Sequence, residues 1–259
     1  MDFIIAILLG VIQGIAEWLP ISSEAMVTVI GKFIGGMEYQ DALAMAIWLH
    51  TGTLISATIY FHKDILSMIK SIWHNGADRN LLLFLIIATA ASFVIAFPLL
   101  LIAFSIELPE YITTIFIGIF LVFVAVIQKN RVSGKQTEPT PKNAVIAGLV
   151  QGFSALPGMS RSGLTLAILV AQNYDLKQAF RLSFLMSIPV VLGAQIALPL
   201  VKSGFEITVE MLVGTVVAAL IGLLTIRLLM QFAEKVNFFK ATLGLGILVI
   251  IIGIVTLSS

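Results

Sequence analysis

The sequence contains no cysteine among its 259 residues, and charged side chains make up only 11% of it. The absence of cysteine excludes structural disulfides, thiolate metal sites and cysteine nucleophiles. Soluble domains carry roughly 25% charged residues, so the shortage of charge indicates a membrane protein with almost no soluble mass. Because the net charge is only +1, no overall attraction to nucleic acid is expected. The sequence also has no Walker loop, no dinucleotide fingerprint and no zinc-ligand spacing.

Apolar residues dominate the chain, at 59% of its length and with a mean hydropathy of +1.07. Six apolar runs reach the roughly 20 residues needed to cross a bilayer. These expected transmembrane helices lie near 41–61, 80–104, 110–128, 178–201, 208–232 and 241–258. No loop is long enough for a second domain, so residues 1–259 are expected to form a single all-α polytopic membrane domain. The N-terminus MDFIIAILLG lacks a basic region and a cleavage site, and we interpret it as a membrane segment.

Four further apolar runs are too short to cross a bilayer, and they occur as two pairs. Residues 3–16 and 22–35 are separated by EWLP at 17–20, and residues 143–156 and 161–172 by PG at 157–158. Short apolar runs of this kind are typical of re-entrant segments. We therefore expect two re-entrant helical hairpins besides six full transmembrane helices.

The distribution of lysine and arginine predicts the orientation in the membrane. The loops 62–79, 129–142 and 233–240 are basic, whereas the turns 36–41 and 105–110 carry acidic residues. The basic loops are therefore expected in the cytoplasm and the acidic turns outside. This alternation fits six spans only if both hairpins are re-entrant, the first entering from outside and the second from the cytoplasm.

The two hairpins also resemble each other in sequence. QGIAEWLPISS at 13–23 parallels QGFSALPGMSRS at 151–162, with one residue of slippage. Weak internal similarity with opposite orientation is the signature of an inverted repeat, and paired broken segments indicate a site near the midplane. The halves would be about 1–128 and 143–259, joined by the basic cytoplasmic linker 129–142. Chance similarity between two proline-broken helices is the alternative.

Each break is expected to start a new helix at its serines. Ser22 or Ser23 can cap one helix, and Ser160 can cap the other. The N–H groups and dipole of a helix N-terminus favour anions. Two half-helices entering from opposite sides would bring both N-termini together, which predicts a cradle for a phosphate or diphosphate.

Charged residues inside the hairpins indicate function because they are costly in a membrane. Arg161 suits bidentate contact with phosphate oxygens, and a structural pair with Glu17 or Glu24 is the alternative. Gln13 and Glu17 are four residues apart and share a helix face. Glu17 could hold a divalent cation such as Mg²⁺ or Ca²⁺, act as a general base, or pair with Arg161. Glu24 falls in the first turn of the next half-helix, where capping and catalysis are both open.

Histidine and the remaining arginines give weaker signals. His50 lies on a full span and is either a site residue or a packing residue bonded to a carbonyl. His62 and His74 are expected to be solvated. Arg181 and Arg227 are expected near cytoplasmic helix ends, where arginine reaches water at low cost.

The segment PGMSRSGLT at 157–165 resembles the signature PGxSRSxxT of the undecaprenyl-diphosphatase family, the bacitracin-resistance type of polyprenyl-diphosphate phosphatase. The first hairpin supplies the family's (E/Q)xxxE motif as Gln13 and Glu17, followed by LPISS at 19–23. LHTGT at 49–53 and FRLSFLMSIPVVLGA at 180–194 also resemble family segments. The resemblance therefore covers nearly the whole chain in the right order.

This resemblance implies a plasma-membrane enzyme with an inverted-repeat fold and an active site open to the outer face. It implies hydrolysis of C55 polyprenyl diphosphate to the monophosphate lipid carrier and inorganic phosphate, with a divalent cation, Mg²⁺ or Ca²⁺. The carrier serves peptidoglycan or other envelope glycan synthesis, and bacitracin resistance follows from loss of the diphosphate. The catalytic candidates are Glu17, Ser23, Arg161 and Glu24; the diphosphate-binding candidates are Ser22, Gly158, Ser160, Ser162 and Thr165; the metal ligands would be Glu17 and Gln13.

One position departs from the family pattern. The family usually has SSxGH after the proline, with the histidine proposed as base or nucleophile, whereas this chain has SSEAM at 22–26. Met26 can do neither, so Glu24 or His50 would have to compensate. If neither reaches the site, the chain would bind polyprenyl phosphates without hydrolysing them.

The preferred hypothesis is a diphosphatase in which either Ser23 or a water activated by a glutamate attacks the terminal phosphate. A polyprenyl-phosphate transporter or flippase is the alternative, since inverted repeats support alternating access. A homodimer is compatible with the sequence, and a bacterial or archaeal source is left open.

Overall fold

The computed structural model describes residues 2–73, 77–105, 110–128, 136, 138–156, 158–202, 204–232 and 238–257. These residues form helices joined by short connections, and no strand occurs among them beyond one isolated bridge between Gln136 and Tyr174. The helices are α1 (Phe3–Ala16), α2 (Ser23–Phe33), α3 (Tyr39–Tyr60), α4 (His62–Lys70), α5 (Ala77–Ser105), α6 (Glu110–Gln128), α7 (Pro141–Gly152), α8 (Arg161–Ala171), α9 (Leu176–Val201), α10 (Val209–Phe232) and α11 (Phe238–Leu257). A 3₁₀ turn, Phe153–Ala155, follows α7.

An all-α polytopic membrane protein is confirmed. Each of the six long apolar runs coincides with one helix, namely α3, α5, α6, α9, α10 and α11. Four helical segments of the described residues are long and apolar enough to cross a membrane: Tyr39–Tyr60, Asp78–Ile102, Leu176–Val201 and Val209–Gln231. Within the described residues of α6 and α11, apolar segments lie at Thr114–Phe123 and Gly246–Val255. Six full crossings therefore stay a prediction, and most of the linker 129–142 lies outside the described residues.

The helix α4 was not expected, because its residues were assigned to a basic loop. Its nine residues, HKDILSMIK, place Met68 in the core and leave Leu66 and Ile69 exposed. Charged residues alternate with these apolar positions, so the segment contains no long apolar run. The search for long apolar runs therefore did not detect this short helix.

Both hairpins break where the sequence predicts. In the first, Ser22 caps α2 by accepting from the Ala25 N–H at 3.3 Å, and its own φ of 58° is left-handed. In the second, Ser160 caps α8 by accepting from the Gly163 N–H at 3.1 Å. Gly158 has a φ of 89°, a conformation that side chains disfavour, so this turn requires glycine. Pro157 lies outside the described residues.

Small residues allow the half-helices to pack closely on long neighbours. The first half-helix, α1, packs on α10 through Gly10 and Gly14, and α7 packs on α5 through Gly148 and Gly152. At each of these glycines a methyl group would overlap the backbone of the partner helix. Close approach through small residues is the common mode of helix packing in membranes.

The main core lies between the hairpins and the amino-terminal parts of α5 and α9. Its largest fully buried side chains are aromatic: Trp18, Phe84, Tyr174, Phe180 and Phe184. Trp18 packs edge-on against Phe184, with ring centroids 5.1 Å apart, and its indole N–H donates to the Gly222 carbonyl at 2.9 Å. Because Trp18 immediately follows Glu17, these contacts fix the end of the first half-helix.

Candidate active site

The tips of the two hairpins contact each other directly. Arg161, the first residue of α8, donates from Nη2 to Glu17 Oε1 at 2.5 Å. The Ser162 hydroxyl donates to the Leu19 carbonyl at 2.7 Å. Glu17 and Arg161 are 144 residues apart in sequence, yet their side chains are only 4% and 11% exposed. The structure thus unites the acidic motif of one hairpin with the serine–arginine motif of the other.

Glu17 is the centre of the polar contacts. Its Oε2 accepts from the Ser23 hydroxyl at 2.7 Å and from Gln13 Nε2 at 2.8 Å. The same oxygen lies 3.1 Å from His50 Nε2. Four polar side chains therefore surround one buried carboxylate, which satisfies the requirement that a buried charge be paired and hydrogen-bonded. The contact with Ser23 has the distance needed for proton transfer from a hydroxyl to a base.

His50 reaches this centre from α3. Its Nδ1 donates to the Ala46 carbonyl at 2.7 Å, because a carbonyl can only accept. Its Nε2 faces the Glu17 carboxylate, so this contact needs a proton that is held by the imidazole or by the carboxylate. His50 thus has both the carbonyl bond expected of a packing residue and a contact within the site.

The Arg161 side chain is held from two sides. Besides Glu17, it donates from Nη1 to the Ser183 carbonyl at 3.1 Å. The Thr165 hydroxyl donates to the Arg161 carbonyl at 2.8 Å and lies 2.5 Å from the Ser183 hydroxyl. These bonds orient the guanidinium at the start of α8.

A pocket opens beside these residues, with about 1160 Å³ of empty space. Its polar end is lined by the predicted residues Glu17, Ser22, Ser23, Glu24, His50, Gly158, Ser160, Arg161 and Ser162. Its apolar end is lined by α5 and α9, mainly through Phe93, Phe97, Val190, Gly193 and Leu198. The N-termini of α2 and α8 both border the polar end, which fits the predicted cradle for an anion.

Two predicted residues do not line this pocket. Gln13 lies behind Glu17, where Nε2 bonds the carboxylate and the buried Oε1 has no hydrogen-bond partner in the described chain. The Thr165 hydroxyl is taken up by Arg161 and Ser183. Met26, at the position of the family's histidine, does not line the pocket either.

The Glu17 and Gln13 pair does not fit a divalent cation as it is arranged. Both Glu17 oxygens already face donors, and one of these donors is the permanently charged guanidinium of Arg161. No group of three or more histidine or carboxylate side chains near enough to share a metal occurs among the described residues. Glu24 fits better, because it lines the pocket and makes no hydrogen bond or ion pair within the described part of the chain. Mg²⁺ in particular is often bound by only one or two carboxylates together with substrate phosphates.

The sequence did not point to three residues of this site. Ser183, which holds Arg161, and the pocket residues Phe93 and Gly193 lie on long helices and were given no site role, although Ser183 and Gly193 fall in the family-like segment 180–194. The pair Ser183 and Ser187, four residues apart within an apolar run, was the available signal for an inward-facing polar stripe on α9.

A buried carboxylate–guanidinium pair at the polar end of an apolar-walled pocket defines a membrane protein suited to a lipid with an anionic headgroup. The family model described as Bacitracin resistance protein BacA matches residues 6–255, and the chain belongs to this family.

Three relatives are named undecaprenyl-diphosphatase. The one from Methanococcoides burtonii is 37% identical over 253 residues, which are 94% of this chain and 95% of the relative. The one from Sulfurisphaera tokodaii is 32% identical and covers 99% of both chains. The one from Haloarcula marismortui is 34% identical and covers 94% of this chain and 96% of its own length.

Proposed function

We propose that this chain is a membrane phosphatase that hydrolyses undecaprenyl diphosphate to undecaprenyl monophosphate and inorganic phosphate. The observation that carries this proposal is the Ser23–Glu17–Arg161 contact between the two hairpins, at the polar end of a pocket with apolar walls. The names of the relatives specify the same reaction and substrate. The names of the relatives give no support to the transporter alternative.

The arrangement suits attack on the terminal phosphorus of the diphosphate. Arg161 and the N–H groups at the starts of α2 and α8 would bind its oxygens and stabilise the charge of the transition state. Glu17 would accept the proton of the attacking hydroxyl, either that of Ser23 or that of a water molecule. Attack breaks the bond from the terminal phosphorus to the bridging oxygen, which leaves on the lipid monophosphate. If Ser23 attacks, water then releases phosphate from the phosphoserine.

His50 and Glu24 both line the pocket and are the two residues expected to compensate for the missing histidine of the family. His50 contacts Glu17 directly, so it can orient the carboxylate and exchange a proton with it. Glu24 lines the pocket, where its carboxylate interacts electrostatically with His50 and Glu17. We assign His50 the role of positioning Glu17. We assign Glu24 the role of holding a divalent cation, Mg²⁺ or Ca²⁺, together with the substrate phosphates. Such a cation would neutralise part of the charge on the diphosphate.

The fold is proposed to be an inverted repeat with six crossings and two re-entrant hairpins. The packing supports this, because α1 lies on α10 as α7 lies on α5, while α6 packs on α11 and α3 on α9. In this repeat α1 corresponds to α7, α3 to α9, α5 to α10 and α6 to α11. Exchanging the halves therefore turns the α1–α10 pair into the α7–α5 pair and leaves the α6–α11 and α3–α9 pairs unchanged.

The site is proposed to open to the outer face of the plasma membrane. The pocket walls come from the carboxyl-terminal parts of α5 and α9 and the start of α3, whereas α4, which carries Lys63 and Lys70, follows the opposite end of α3. The product would return to envelope glycan synthesis as a lipid carrier. A homodimer stays a prediction.

Phosphate release from undecaprenyl diphosphate by the purified protein in detergent, with Mg²⁺ or Ca²⁺, tests the function. Arg161→Ala and Glu17→Ala should each abolish release. Arg181→Ala is the matched control, since Arg181 pairs with Asp64 outside the pocket and should leave release intact. Lipid movement across proteoliposomes without phosphate release would instead support a transporter.

A further inference from the structure

The helices α5 and α9 wall the apolar end of the pocket, and each divides into two parts. Their amino-terminal parts, which include Phe84, Ala88, Phe180 and Phe184, lie together in the main buried core. Their carboxyl-terminal parts, from Phe93 and from Val190 onward, line the pocket instead. The pocket therefore begins where the core shared by the two helices ends, and beyond that point α9 packs on α3 through Leu198.

Phe93 and Gly193 mark this point. A methyl group placed on Gly193 would overlap the Cζ and Cε1 atoms of the Phe93 ring, so the ring rests directly on the backbone of α9. Both residues line the pocket, and the Phe93 side chain is still 39% exposed. One edge of the Phe93 ring therefore contacts the glycine, and another part of the ring surface is accessible to a ligand in the pocket.

The arrangement of the pocket determines which part of a lipid meets this ring. With the diphosphate at the polar end, the isoprene units next to it would lie along the apolar end that Phe93 lines. The remainder of a C55 tail would extend toward the bilayer. Each isoprene unit contains a planar double bond with a methyl branch, and an aromatic ring offers such a flat apolar group a large contact surface.

We propose that Phe93, seated on Gly193, is a specificity-determining residue that selects the planar, methyl-branched units next to the diphosphate over a saturated chain. This inference rests on the proposed function for the class of ligand, but it concerns binding and not the chemical step. In this position the ring occupies the space that a Cβ at position 193 would need, so a larger residue there would displace it.

Binding of two non-hydrolysable lipids by isothermal titration calorimetry in detergent tests the inference. The ligands are farnesyl methylenediphosphonate and pentadecyl methylenediphosphonate, which have equal carbon numbers and identical headgroups. The wild-type chain should bind the prenyl compound more tightly. Phe93→Ala should reduce this preference about tenfold, by raising the dissociation constant of the prenyl compound. Phe93→Leu, which keeps apolar volume without the planar ring, should do the same while keeping the thermal stability.

Two controls isolate the ring. Phe123→Ala removes an exposed phenyl of α6 that does not line the pocket, and it should leave the preference unchanged. Gly193→Ala should displace the ring and lower the preference for the prenyl compound as Phe93→Ala does. The double variant should lose no more of this preference than either single variant, because both changes act on the same ring. An unchanged preference in Phe93→Ala and Phe93→Leu overturns the inference even if the chain hydrolyses its substrate. If the Phe93 variants lose the preference for the prenyl compound but the wild type hydrolyses no substrate, the inference is supported and the proposed reaction is refuted.

Discussion

Replacing Glu17 by glutamine should disrupt the site more than its small change in shape suggests. The two carboxylate oxygens of Glu17 receive Arg161 on one side and Ser23, Gln13 and His50 on the other. An amide keeps only one oxygen. Its NH₂ group either faces the obligatory donor Arg161, or it faces Ser23, Gln13 and His50, which must then turn or change tautomer to accept. The buried guanidinium of Arg161 also loses the charge that compensates it.

The magnitude follows from the burial of the pair, with Glu17 4% and Arg161 11% exposed. Removing one partner of a buried ion pair costs about 3–5 kcal/mol because the other charge is left uncompensated. For a loss of about 3 kcal/mol, Tm should fall by about 6–12 °C in a chain of this size. Removing both charges avoids the isolated charge, so the double variant should lose less than the sum of the single variants.

Thermal unfolding of wild type, Glu17→Gln, Arg161→Gln and the double variant in one detergent provides the assay. We expect a coupling of about 1.5–3 kcal/mol between the two positions. Phosphate release should be lost in all three variants. Only the stability measurement therefore distinguishes the structural role of the ion pair from the role of its residues in hydrolysis. Single variants that shift Tm by less than about 2 °C, or a double variant that equals their sum, would refute the reasoning.

Three further perturbations are sharp enough to test. Ser23→Ala should lower kcat at least about 100-fold with little change in KM, because it removes the hydroxyl that contacts the base Glu17; a normal kcat would show that water attacks without it. Glu24→Gln should raise the Ca²⁺ or Mg²⁺ concentration for half-maximal phosphate release about tenfold, whereas an unchanged titration would place the cation elsewhere. Gly148→Leu should lower the yield and Tm of folded protein because its side chain would overlap the backbone of Ala88; Gly244→Leu, which meets nothing within 4 Å, is the matched control.

Much of the fold could be predicted from the sequence, because the membrane makes length and hydropathy informative. A backbone in lipid must satisfy its own hydrogen bonds, so each long apolar run has to be helical. The breaks after α1 and α7 were equally visible, since a proline and serine cluster ends one helix and caps the next. The nine-residue helix α4 escaped because amphipathic segments give no long apolar run.

The membership of the polar site was also predictable, but its contacts were not. Glu17 and Arg161 were identifiable because charges inside apolar hairpins are rare, and Ser23 was assigned from the family resemblance. The sequence left open whether Glu17 binds a metal, acts as a base or pairs with Arg161. In the structure it pairs with Arg161 and accepts from Ser23 at the same time, which depends on how two segments more than 130 residues apart pack together.

The residues that line the apolar half of the pocket could not be identified from the sequence of a membrane protein. Phe93 and Gly193 belong to runs in which nearly every residue is apolar, so hydropathy does not distinguish a side chain facing lipid from one facing a ligand. What distinguishes them is contact, because the Phe93 ring rests on the Gly193 backbone, whereas the equally apolar Phe123 lies outside the pocket. A site for a lipid diphosphate needs both kinds of lining. Its polar residues stand out against an apolar chain, and its apolar residues become visible only when the helices are packed.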